Sequence, residues 1–168
     1  MTSARWSEAR SVLCVRLDSL GDVLMCTPAI RAIKQSRPGR CVTLLSSASG
    51  AAAAPFIPEI DAVLSYPAPW MKSSAAHLGA VDMAFIDSLA SRRFDAVAIF
   101  TSYSQSALPA ALMCYLAGIP LRLAQCRENP YQLLTDWVAE TEPQQQIRHE
   151  VQRQLDLVHG LVDVLTLG

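Results

Sequence analysis

Apolar and polar positions along this chain switch between two periods, and the switches mark out its elements. Five short runs are apolar at nearly every position: "SVLCVRL" (11–17), "CVTLLSS" (41–47), "AVLSY" (62–66), "FDAVAIF" (94–100) and "PLRLAQ" (120–125). Runs this short, bounded by polar or turn-forming residues, predict strands buried on both faces. Between them apolar residues return at helical spacing. Val23, Cys26, Ala29, Ile30 and Ile33 do so up to the stop "SRPG" (36–39), and "ALPAALMCYLAG" (107–118) does so up to Gly118 and Pro120. An Ala-rich stretch at 50–60 and a longer one from His77 to Arg93 complete the internal helices. Pro28 lacks a backbone donor, so the first of these helices is predicted to kink, with Thr27 capping a second segment. A last helix is predicted from about 148 to 165, its stripe formed by Val151, Leu155, Val158, Val162 and Leu165. Residues 67–77 read as an irregular loop and 126–146 as mostly connection.

Strands alternating with helices at this spacing predict an α/β fold: a Rossmann-like parallel sheet of at least five strands, helices on both faces, right-handed crossovers, and Val12, Val15, Val42, Leu44, Val97 and Ile99 in the core. Such sheets bind ligands beyond the carboxyl ends of their strands, where the strand order reverses. Residues 18–22, 46–50, 101–106 and 126–131 therefore share one rim.

The 168 residues suit one domain, 1–168, large enough for a real core. With 51% apolar and 17% charged residues, the chain is rich in core formers, which suggests a covered partner surface. A net charge of −1, without a basic run, argues against nucleic acid and anionic membranes as partners. The five cysteines, odd in number and never spaced C-x-x-C, read as small buried thiols in a reducing compartment, with no metal expected. Arg16 interrupts the first apolar run before it reaches signal-peptide length, and nowhere do eighteen apolar residues follow one another, so the expectation is a soluble cytoplasmic protein without a transmembrane segment.

The candidate chemistry lies in "RLDSLGDVLMCTPAI" (16–30). A dinucleotide site would place G-x-G-x-x-G here, but this turn has one glycine and two acids, and the P-loop pattern is absent too. Asp18 and Asp22 are either helix caps, each contributing about 1 kcal/mol, or chemistry. Ser102, Ser104, Gln105 and Ser106 follow the fourth strand; their hydroxyls and amide could bind a sugar, but capping of the next helix is the more ordinary role for each. Arg127, Glu128 and Asn129 follow the fifth, as ligand contacts or as a solvated turn before Pro130. His77 and His159 read as structural or surface residues.

"SVLCVRLDSLGDVLMCTPAIRAIKQSRPGRCVTLLSS" resembles the opening of the glycosyltransferase family nine enzymes, the heptosyltransferases of lipopolysaccharide core synthesis, whose signature is a strand, an S-x-G-D turn and a T-P-A/S helix. The likeness continues through "PEIDAVLSY", "RRFDAVAIF", "QSALPAALMCYLAGIPLRLAQ" and "RHEVQRQLDLV". It implies one half of a two-domain B-type glycosyltransferase fold, the N-terminal acceptor-side half. Helix 148–165 would then lead toward a C-terminal donor half missing from this chain, and the chain alone is expected to be inactive. The resemblance places Asp22 on the family's general base for inverting sugar transfer, with Gly21 letting the backbone turn tightly beside the substrate. It gives Asp18, where the family more often has serine or threonine, no catalytic role. His149 matches a histidine opening the last helix in relatives. Expected partners are a glycan or lipid-linked acceptor and, through the second domain, a nucleotide-sugar donor such as ADP-heptose; no cofactor is implied. The rival reading is a non-catalytic α/β binding or interaction module.

Overall fold

The computed structural model describes residues 2–72 and 75–166. Six strands, β1 (Ser11–Val15), β2 (Cys41–Ser46), β3 (Ala62–Ser65), β4 (Ala96–Ile99), β5 (Leu121–Cys126) and β6 (Asp136–Ala139), form one sheet in the order β3-β2-β1-β4-β5-β6. Every pairing is parallel, with Val15 opposite both Leu45 and Ile99. The order reverses between β1 and β4, so the crevice expected of a doubly wound sheet lies at their carboxyl ends.

Because successive side chains of a strand point to opposite faces, the sheet divides the interior in two. Val12, Cys14, Val42, Leu44, Ala96 and Ala98 face one helical layer: α1 (Thr2–Glu8), α2 (Leu20–Met25), α3 (Thr27–Gln35) and α7 (Glu150–Thr166). Leu13, Val15, Leu45, Val97 and Ile99 face α5 (Gly79–Arg92) and α6 (Leu108–Leu116) on the other side. All six core residues expected from the sequence are buried. The break falls where Pro28 requires it, with α2 ending at Met25 and α3 starting at Thr27, but Cys26 rather than Thr27 holds the cap position and the Thr27 hydroxyl donates back to the Leu24 carbonyl at 2.7 Å.

Several expectations are corrected. The stretch 50–60 is not one helix but α4 (Ala48–Ala51) followed by a 3-10 turn at Ala54–Phe56, because Pro55 has no N–H to continue the ladder. β6 lies inside the stretch read as connection. It is four residues long, largely exposed, and stabilised by pairing with β5 rather than by pattern. α1, unassigned from the pattern, is held by Trp6, whose indole donates to Asp136 Oδ2 at 3.0 Å, and by buried Arg40, which donates to the Trp6 and Ala9 carbonyls. The buried face of α7 is also rotated from the expected stripe. Arg153, Gln154, Leu157 and Val158 are buried, whereas Val151 and Leu155 are half-buried; Val162 and Leu165 lie outside the described side chains. Among the cysteines, Cys14, Cys26, Cys114 and Cys126 are buried and Cys41 is exposed, and none is in a disulfide. Burial pushes the Cys26 and Cys114 thiols up to about 12, so neither is a nucleophile at neutral pH.

Candidate active site

β1 delivers Arg16, Leu17 and Asp18 to the crevice, and Ser19 starts α2 in extended backbone conformation. Asp22, in the first turn of α2, accepts from the Ser19 backbone N–H at 3.0 Å and the Ser19 hydroxyl at 2.8 Å, both on Oδ2. It is therefore a cap. Its Oδ1 lies 3.6 Å from the Arg16 guanidinium, beyond hydrogen-bond length, and its side chain is 38% exposed. Capping occupies one oxygen and leaves the other facing Arg16. Asp18 is more enclosed, at 14%, and its Oδ2 accepts from Arg16 at 3.3 Å and from the Gln105 side chain at 3.0 Å.

Gly21 does not act as a turn. It lies within α2, and a Cβ built there would meet nothing nearer than Ser19 Oγ at 4.0 Å. The glycine that packing demands is Gly50 of α4: a Cβ there would sit 1.9 Å from Ser46 Oγ and 3.0 Å from both the Asp18 carbonyl oxygen and Val23 Cγ2. Ser47 ties the same turn down, donating its hydroxyl to the Asp18 carbonyl at 2.6 Å.

Two clefts flank the loop after β4 and share Ser104, Gln105 and Ser106. One, of about 400 Å³, lies at the β1/β4 switch, with Leu17 and Ile99 as apolar floor, Trp70 and Met71 as wall, and Asp18 and Gln105 at its polar edge. The other, of about 390 Å³, lies toward β5, between Tyr103, Arg127, Glu128 and Glu140. The wall of the first is anchored beneath the chain leaving β3. The Tyr66 hydroxyl donates to Asp82 Oδ1, His77 Nε2 is 2.8 Å from the same oxygen, and the Tyr66 ring stacks on Phe85. The hydrogen bond to Asp82 raises the His77 pKa above its ordinary value.

Of the residues expected to touch substrate, Ser104 and Gln105 line both clefts and Arg127 lines the second. Arg127 also acts as a strut, donating to the carbonyls of Tyr103 at 3.0 Å and Glu142 at 2.8 Å. Gly21, Asp22, Ser102, Asn129 and His149 line neither cleft. Ser102 pairs with Ser104 at 3.1 Å and donates its N–H to Gln105; Asn129 closes its own turn by accepting from the Tyr131 N–H; an exposed His149 accepts from the Val151 N–H at the start of α7. The last two satisfy the backbone, which is the bland role open to them from the outset.

Sequence reasoning overlooked Arg16, Glu150 and Arg153. Arg16 is 1% exposed; one terminal nitrogen reaches Asp18 and Asp22, and the other lies 3.3 Å from Glu150 Oε1 of α7. Burial disfavours its charge, but Cys26 and the carboxylates of Asp18, Glu150 and Asp22 outweigh that, so its pKa is raised. Arg153, also buried, bonds Glu140 at 2.6 Å, Glu142 at 3.1 Å and the Thr101 carbonyl at 2.9 Å, which fastens α7 to the rim. The available signal was an arginine inside an otherwise apolar strand run. Such a residue must find partners when buried.

Among the described residues no group of His, Cys, Asp and Glu is arranged to hold a metal ion, and no helix is long and apolar enough to cross a membrane. At the level of sequence, no family model and no curated protein matches the chain. Solved structures do. A glycosyltransferase family 9 protein from Veillonella parvula superposes with a TM-score of 0.67 at 13% identity, covering 90% of this chain and 41% of that one. The E. coli ADP-heptose LPS heptosyltransferase II gives 0.62 at 19%, covering 88% and 39%. The E. coli heptosyltransferase WaaC with ADP-2-deoxy-2-fluoro heptose gives 0.65 at 19%, covering 91% and 48%. The Rossmann-like fold is thus shared with these enzymes, and the chain spans less than half the length of each.

Proposed function

We propose that this chain is the acceptor-side half of an inverting glycosyltransferase of family nine, heptosyltransferase-like, that works with a donor-binding half approached through α7. The observation that carries the reading is the carboxylate pair at the switch point: Asp22 keeps one oxygen capped and holds the other 3.6 Å from Arg16, and Asp18, which shares that guanidinium, forms the edge of the cleft. The cleft suits a sugar, because Trp70 offers an aromatic face to the C–H side of a pyranose while Asp18, Ser104 and Gln105 offer hydrogen-bonding groups to its hydroxyls. In the reaction the acceptor hydroxyl loses its proton to Asp22 as its oxygen bonds to the anomeric carbon. The bond from that carbon to the nucleotide diphosphate breaks in the same displacement, and the diphosphate leaves with the electron pair. ADP-heptose is the proposed donor and a lipopolysaccharide-type glycan the proposed acceptor. A cytoplasmic location is proposed with them, where a nucleotide sugar would be met.

The test is sugar transfer from ADP-heptose to heptose-free lipopolysaccharide by this chain together with a donor-binding half. Asp22→Asn preserves the cap and removes the base, with an expected loss in rate of about 10²- to 10⁴-fold. Transfer within a few fold of the parent means that Asp22 only caps α2. Absence of transfer by the parent itself favours the second reading, a non-catalytic interaction module, for which the apolar surface of α6 at Leu112, Tyr115 and Leu116 is the supporting observation.

A further inference from the structure

We propose that Arg16 is the positioning residue for Asp22, and that Glu150 of α7 acts on the rim through it; this rests on the reading of Asp22 as base. Three carboxylates from three stretches of chain converge on this one buried guanidinium: Asp18 after β1, Asp22 in α2 and Glu150 at the start of α7. Asp18 and Asp22 carry like charges beside one another and stay together because a cation lies between them. Without it, repulsion from Asp18 turns Asp22 outward about the Ser19 hydrogen bonds, which hold only Oδ2. The contact from Arg16 falls on Oδ1, the oxygen left for proton transfer, at 3.6 Å, a Coulombic contact that orients without consuming a lone pair.

The fork explains why arginine occupies this position. A planar guanidinium presents donors in two directions, so one side can be pinned while the other steers. Glu150 pins the first side, and Glu150 is itself held by the Gln154 side chain at 2.8 Å, next to the Arg153 ion pairs with Glu140 and Glu142. A shift of α7 is thereby passed to Asp22 through two contacts. α7 is also the element that, in the proposed enzyme, leads toward the donor half, so the base would be set when the two halves are correctly placed.

The experiment compares Arg16→Met, Arg16→Lys and Glu150→Gln, each with Asp22 intact and in the Asp22→Asn background, using ADP-heptose, heptose-free lipopolysaccharide and the enzyme complete with its donor half. With Asp22 intact, Arg16→Met should lower kcat by about 10²-fold, the scale of a misplaced catalytic group, with acceptor KM changed by less than about threefold. Arg16→Lys keeps the charge without the fork and should recover about tenfold of that loss, and Glu150→Gln should cost about tenfold. None should lower the rate further once Asp22 is asparagine, because a residue acting through Asp22 has nothing left to act on. Equal losses in both backgrounds, or a rise in KM in place of the fall in kcat, overturn the proposal. A dead Asp22→Asn beside a fully active Arg16→Met removes this inference alone, whereas a fully active Asp22→Asn removes the base reading and this inference with it. Should Arg16→Met fail to fold by circular dichroism, Glu150→Gln decides, and unchanged kcat in that variant overturns the proposal.

Discussion

Arg153→Met tests whether a buried ion network, more than an apolar stripe, docks α7. Arg153 is 1% exposed and its two carboxylate partners, Glu140 at 2.6 Å and Glu142 at 3.1 Å, are 5% and 1% exposed. Removing one member of such a group leaves buried charge without its counter-ion, a cost of about 3–5 kcal/mol. Glu142 retains Arg148 at 3.0 Å, which places the expectation toward the lower end, about 3 kcal/mol. For a chain of this size that corresponds to a fall in Tm of about 6–12 °C. The pair Arg31–Glu59, whose arginine is half exposed, supplies the control, since Arg31→Met should cost less than about 1 kcal/mol.

The pH dependence gives a second reading of the same network. Burial pushes the Glu140 carboxyl up, but the Arg153 hydrogen bond, the Glu142 N–H and nearby positive charge outweigh burial and hold it below its ordinary 4.5. A depressed carboxyl stabilises the fold above its unfolded pKa, and that stability is lost as pH falls through the folded value. In Arg153→Met the carboxyl keeps its burial and loses its main partner, so acid relieves the variant while it weakens the parent. The difference between the two in urea unfolding should be widest near neutrality and shrink as pH falls below about 4.5. A difference under about 1 kcal/mol at neutral pH, or one constant with pH, refutes the account.

Three further outcomes follow from named contacts. Gly50→Ala drives a methyl against Ser46, the Asp18 carbonyl and Val23; it should cost about 1–3 kcal/mol in urea unfolding and shift the amide resonances of residues 18–22, and an unshifted spectrum contradicts the packing. Leu157→Ala should cost about 2–5 kcal/mol and Leu155→Ala clearly less, since only the first is fully buried; equal melting curves would restore the stripe expected from the sequence. His77, followed by NMR titration, should show a pKa above 6.5 that falls back in Asp82→Asn, and a His77 pKa indifferent to that change contradicts the hydrogen bond.

The sequence by itself determined the layering. Central strands such as Ser11–Val15 and Ala96–Ile99 are apolar on both faces, a pattern that only a covered parallel sheet satisfies, and Pro28 dictated the break between α2 and α3 because a missing N–H is a local fact. The stretch carrying Asp18 and Asp22 stood out because its glycine and two acids break the apolar runs on either side, although Gly21 proved to lie within α2 and not in a turn. Tertiary structure decided what those acids touch. β6 exists because β5 offers it an edge, and no four-residue pattern such as "DWVA" announces that. Arg16 meets Glu150 across 134 positions of chain, and Arg153 meets the Thr101 carbonyl across 52. The orientation of α7 follows from such pairs, because a buried guanidinium left without partners costs more than a half-exposed Leu155, and the helix turns its charged face inward to meet them.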